Sequence, residues 1–171
     1  MGMIKRLAVV AAVAVAASGC GGGAPEQVFA QSDACALLTT AVRGTPVDPA
    51  SGKYQMVKSA PGSVLESVQS CRAEWNTAQP KVAGADAAAG LDLAGAEDWS
   101  KHSVASSQGG YEIFKDTTKA GGGCRYQIRI PGTGAAVHLR YLDWTVTAAK
   151  DESCPVAERM VAQILPGLPK P

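Results

Sequence analysis

The chain has 171 residues, 16 Lys and Arg against 15 Asp and Glu, and a net charge of +1. That balance gives no electrostatic argument for nucleic acid or a polybasic membrane contact. Two histidines and five cysteines leave few groups for catalysis or metal binding.

The chain opens with a leader. Lys5 and Arg6 precede Leu7–Ala17, an uninterrupted apolar run of 11 residues. A membrane span needs roughly 20 such residues and a signal-peptide core about 7–15, so the run reads as a removable signal. Ala17-Ser18-Gly19-Cys20 sets small residues before a cysteine. This resembles the lipobox of bacterial lipoproteins. It predicts cleavage after residue 19 and acylation of Cys20, with palmitate-type chains holding the protein to the extracytoplasmic face of the cell membrane. One acyl chain alone binds marginally, so stable anchoring takes more than one. Lys5 and Arg6 leave with the leader and no acidic residue does, so +1 becomes −1. Residues 20–32 read as a flexible tether rich in glycine. Residues 33–171 read as a single extracytoplasmic domain, long enough for a hydrophobic core.

Four cysteines remain: Cys35, Cys71, Cys124 and Cys154. An even number in an oxidising compartment predicts two disulfides. Three pairings are possible, and Cys35–Cys71 with Cys124–Cys154, joining sequence neighbours, is favoured. No C-x-x-C or Cys/His spacing supports a metal site.

The elements follow in order. Asp33 is a fit N-cap for a helix over 34–43, with Leu37, Leu38, Ala41 and Val42 on one face. Gly44 suits the left-handed position after it, and Pro46 forbids continuation. Residues 54–59 read as a strand. In 68–75, Cys71, Ala73 and Trp75 share one face, and Arg72 and Glu74 the other. Residues 83–110, rich in Ala, Gly and Ser, read as loops with one short helix. Residues 111–115 read as a strand, and Gly121-Gly122-Gly123 as a turn. Cys124, Tyr126, Ile128 and Ile130 alternate with Arg125, Gln127 and Arg129. After a Pro131–Gly134 turn, Val137, Leu139 and Tyr141 alternate with His138 and Arg140. This is an antiparallel hairpin with one buried face. Leu142, Trp144 and Val146 break the parity and predict a bulge or a break near Asp143. Ser153 and Pro155 open a final helix, with Ala157, Met160, Val161, Ile164 and Leu165 in a stripe that Pro166 ends. The fold class is α+β: a mostly antiparallel sheet packed by an N-terminal and a C-terminal helix.

Three segments carry a resemblance: the opening Asp33-Ala34-Cys35-Ala36-Leu37-Leu38-Thr39, Cys71 with Trp75, and Cys154 with its amphipathic helix and Leu165-Pro166. With the lipobox, the chain resembles small actinobacterial lipoproteins classed as a domain of unknown function. It is also similar to extracellular sensor domains of actinobacterial receptor kinases. The resemblance implies an extracytoplasmic α+β module of the cell envelope with no established activity.

Catalytic groups are scarce. No G-x-S-x-G elbow or P-loop occurs, so no catalytic set, metal or cofactor is predicted. In a helix Asp98 and His102 would share a face, but no third group has matching spacing. Trp75 and Trp144 read as core, and Trp99 as a loop residue. Arg125, Arg129, His138 and Arg140 project from one face of the hairpin, a candidate docking face for an anionic envelope protein, lipid or polymer. The chemistry favours a non-enzymatic binding or sensing module, with a carrier of a lipid or hydrophobic small molecule second and an envelope hydrolase last.

Overall fold

The computed structural model describes residues 23–59, 67–80, 87–101, 103–116, 123–143 and 153–170. The leader, Cys20, His102 and Trp144 lie outside them. Seven strands form one antiparallel sheet: β1 (Tyr54–Ser59), β2 (Gln69–Trp75), β3 (Ala87–Gly95), β4 (Ser103–Gln108), β5 (Tyr111–Asp116), β6 (Gly123–Arg129) and β7 (Ala135–Asp143). The order across the sheet is β1-β2-β3-β7-β6-β5-β4. Three helices accompany it: α1 (Pro25–Val28), α2 (Ala34–Ala41) and α3 (Ser153–Ile164).

Helix α2 forms where the sequence places it. Asp33 Oδ1 accepts from the backbone N–H groups of Cys35 (2.8 Å) and Ala36 (3.0 Å), satisfying two donors that a helix start leaves open. Gly44 takes φ +69°, the left-handed geometry only glycine adopts cheaply. Leu37, Leu38, Ala41 and Val42 are buried. Helix α3 buries Ala157, Met160, Val161 and Ile164, the side chains at helical spacing. Its first residue is Ser153, so the cap position falls outside the described residues.

Both helices pack on the same face of the sheet, α2 against β2 and β3, α3 against β6 and β7. Disulfides fix each of them there. Cys35 of α2 is joined to Cys71 of β2, and Cys154 of α3 to Cys124 of β6, with Cα atoms 5.1 Å apart in each case. Lys115 of β5 (3.0 Å) and the Tyr126 hydroxyl of β6 (3.1 Å) both donate to Glu158 of α3. The core between helices and sheet holds Leu38, Leu91, Leu93, Ile128, Leu139, Met160 and Ile164, each under 2% exposed.

Three expectations need correction. First, 83–110 is not loop: β3 lies at its heart, third in the sheet, and β4 follows. Its Ala, Gly and Leu residues are buried on both faces along most of the strand, which erases the alternation that marks a half-exposed strand. Second, β7 keeps unbroken register with β3 to Asp143 and with β6 to Leu142, so no bulge falls within the described strand, and residues 144–146 lie outside the described residues. Leu142 lies on the opposite face from Tyr141 without a bulge, because its cross-strand partner Gly123 has no side chain to displace it. Third, order begins before Asp33. Pro25–Val28 is a helical turn touching β3 and β7, and Phe29 is fully buried in the core. An aromatic side chain of that size gains about 2–3 kcal/mol on burial, and it draws this stretch of the expected tether into the domain.

Candidate functional site: the open face of the sheet

The face opposite the helices is polar. Cross-strand register sets its rows. One row runs Ser70, Asp92, His138, Gln127; the next runs Arg72, Gly90, Arg140, Arg125. Alternation within each strand puts these residues opposite the core set of Cys71, Leu91, Leu139 and Tyr126.

The first row is buried beneath the segment 96–101. Gln127, with 0% exposure, pairs with the backbone of Glu97 at both amide ends (2.8 and 3.0 Å). Trp99 is 6% exposed and donates from its indole N–H to Glu97 Oε2 (2.8 Å). Its ring meets His138 edge-on at 5.8 Å, and the Arg125 guanidinium lies 5.9 Å from its centroid. His138 Nε2 sits 3.0 Å from the Gly95 carbonyl oxygen, so the proton resides on Nε2. Ser70 donates to Asp92. Asp92, Glu97, Trp99, Arg125, His138 and Arg140 border a cleft of about 110 Å³.

The four residues of the expected docking face therefore have different situations. Arg125 is paired with the buried carboxylate of Asp116. Arg129 donates to the Glu97 carbonyl (2.9 Å), lies 4.5 Å over the Phe114 ring and reaches Glu112 at 3.8 Å. His138 is buried rather than solvated. The side chain of Arg140 alone among the four forms no hydrogen bond or ion pair with the described residues. Its side chain lies across Gly90, where a Cβ would come within 2.7 Å of its Nε.

Arg72 stands on the other side of Gly90, whose backbone pairs with both Arg72 and Arg140. Its Nε is buried and has no hydrogen-bond partner. Arg72 and Arg140 line a second cavity, of about 220 Å³, with Glu74, Ala88, Ala89 and Leu142. Sequence reading put Arg72 on the polar face of its strand but left it out of the docking set. A glycine inside a strand often marks close approach of another group. That signal was hidden here because residues 87–95 did not read as a strand.

The Asp98–His102 idea finds no helix to carry it. Residues 96–101 are irregular, and Asp98 accepts from the Ser100 N–H (3.0 Å). Among the described residues no group of three or more His, Cys, Asp or Glu could hold a metal ion. No helix among them is long and apolar enough to cross a membrane.

Fold and site together define a class: an α+β domain stapled by two disulfides, with helices on one face of a seven-stranded antiparallel sheet and an arginine-lined surface on the other. No family model, curated protein or solved structure matches the chain.

Proposed function

We propose that the protein is a lipid-anchored lipoprotein of the cell envelope, a non-enzymatic binding module that meets an anionic partner through the open face of its sheet. The carrying observation is the Arg72–Gly90–Arg140 arrangement: two arginines flank a strand glycine and neither has a carboxylate partner among the described residues. Charges in water-excluded clefts are strong handles for recognition. The leader and Cys20 supply the membrane address, and the resemblance to actinobacterial lipoproteins of unknown function agrees with it. The N- and C-terminal helices, stapled to the sheet, serve as the rigid back of this surface. The buried residues between sheet and helices form one core cluster behind this surface.

Cross-linking in intact cells, followed by mass spectrometry, tests the reading. Wild-type protein is compared with Cys20→Ala and with the double variant Arg72→Glu/Arg140→Glu. Specific neighbours are expected for the wild type and lost in both variants. Neighbours that persist unchanged in the double variant would remove the open face from the function.

A further inference from the structure

We infer that the cleft between Arg72 and Arg140 is a binding site for one phosphate group. The inference rests on the open face being the working surface, and adds a ligand class to it. Three observations converge. The two arginines occupy strands on either side of β3, about 10 Å apart at the backbone, and line one cavity of about 220 Å³. A buried guanidinium N–H of Arg72 has no acceptor among the described residues, although buried donors are nearly always satisfied. Gly90 forms a floor without a side chain, and any Cβ there would strike Arg140.

The chemistry selects phosphate over carboxylate. Two guanidinium groups offer paired N–H donors in a planar fork, which suits bidentate contact with phosphate oxygens. A phosphate group has at least two and up to three free oxygens in a tetrahedral spread that can face both forks at once, where the two oxygens of a planar carboxylate fill one. Glu74 shares the cavity without pairing to either arginine, and with it counted the cavity still holds a surplus of positive charge. Ala88, Ala89 and Leu142 make an apolar wall, which strengthens charge-assisted hydrogen bonds. The same group reaches the site on a soluble ester or on a lipid headgroup.

Titration calorimetry on the full chain in neutral detergent separates these sources. The probes are inorganic phosphate, glycerol 3-phosphate and a short-chain phosphatidic acid. Binding of glycerol 3-phosphate without the lipid assigns a soluble ester, the reverse assigns a headgroup, and inorganic phosphate alone assigns the free ion. Arg72→Gln and Arg140→Gln are each expected to weaken binding by about tenfold or more. Arg140→Lys, which keeps the charge and loses the fork, weakens it less. Gly90→Ala, which displaces Arg140, also weakens it. Arg43→Gln makes the same charge change just after α2, on the helical side, and leaves binding intact. Thermal melts confirm that each variant is folded. Absence of binding by all three probes overturns the inference, as does an equal loss in Arg43→Gln. If the probes fail while cellular neighbours are still lost in the arginine double variant, the phosphate site falls and the wider reading stands.

Discussion

Gln127 holds the backbone of Glu97 as a neighbouring strand would. Its Oε1 accepts from the Glu97 N–H and its Nε2 donates to the Glu97 carbonyl. Together with Arg129, which also donates to the Glu97 carbonyl, this buried side chain fastens the 96–101 segment over the polar row of the open face, where Trp99 meets His138 and Arg125. Replacing it with an apolar residue strips both backbone groups of this partner. Gln127→Leu is expected to destabilise the protein by about 1–3 kcal/mol in urea titrations. With Trp75 and Trp144 changed to Phe, Trp99 emission shifts to the red as the segment lifts. An unshifted spectrum would mean that other contacts hold the segment.

Gly123 and Leu142 are cross-strand partners on the same face. A Cβ at residue 123 would overlap Leu142 and approach the Tyr141 carbonyl oxygen to 2.8 Å. Gly123→Ala therefore lowers stability by about 1–3 kcal/mol. Adding Leu142→Ala recovers only part of this, since the backbone contact persists. Full recovery in a double-mutant cycle would contradict that division.

Each disulfide closes a loop between residues 36 and 30 positions apart, respectively. The chain-entropy argument gives about 3.5–4 kcal/mol for loops of that length. Cys35→Ala/Cys71→Ala and Cys124→Ala/Cys154→Ala are each expected to lose stability of that order, read by guanidinium denaturation. Amide exchange localises the effect: the first pair loosens α2, the second α3.

Asp33 and Asp48 both titrate below the ordinary carboxylate range. Backbone N–H groups of Ala36 and Cys35 hold Asp33 down, and those of Gly44 and Ala50 hold Asp48 down. A depressed folded value means that the unfolded chain takes up protons first as pH falls. The stabilisation is complete above the ordinary range, about pH 4, and fades as pH drops through the lowered values. Asn still caps a helix but does not titrate. Asp33→Asn/Asp48→Asn is therefore expected to flatten the acid side of the stability profile with little change at neutral pH. Both side chains are solvent-exposed or partly so, so screening keeps the difference small.

What could be read from the chain followed burial on a single face. Leu37, Leu38 and Ala41 in α2 and Met160 and Ile164 in α3 bury one side, and the β6–β7 hairpin alternates apolar with polar residues although Gln127 and His138 are buried too, so periodicity found all three. The interior strand β3 is covered on both sides, so Ala87–Gly95 carries no such period. The open-face arginines were partly visible for the same reason. Arg125, Arg129 and Arg140 announced a shared face through alternation. Their differences came from residues far away in sequence: Asp116 for Arg125, Glu97 for Arg129, Gly90 for Arg140. His138 looked solvated because alternation assigns a face, and nothing local foretold that Trp99 would cover it.

If Cys20 carries the acyl chains proposed above, the burial of Phe29 and the turn at Pro25 would shorten its leash. Five residues from Cys20 to Pro25 reach at most about 18 Å when fully extended. Under that proposal, the end of the sheet where β3 finishes and β7 begins, which α1 touches, would stay in a thin layer above the headgroups. Gly90 lies five residues further along β3, roughly 17 Å at strand rise. An upright domain would then hold its arginine cleft clear of the bilayer, within reach of soluble esters, and one lying on its open face would press the cleft onto lipid. Under the proposed anchoring and phosphate site, posture on the membrane would decide which phosphate the cleft meets.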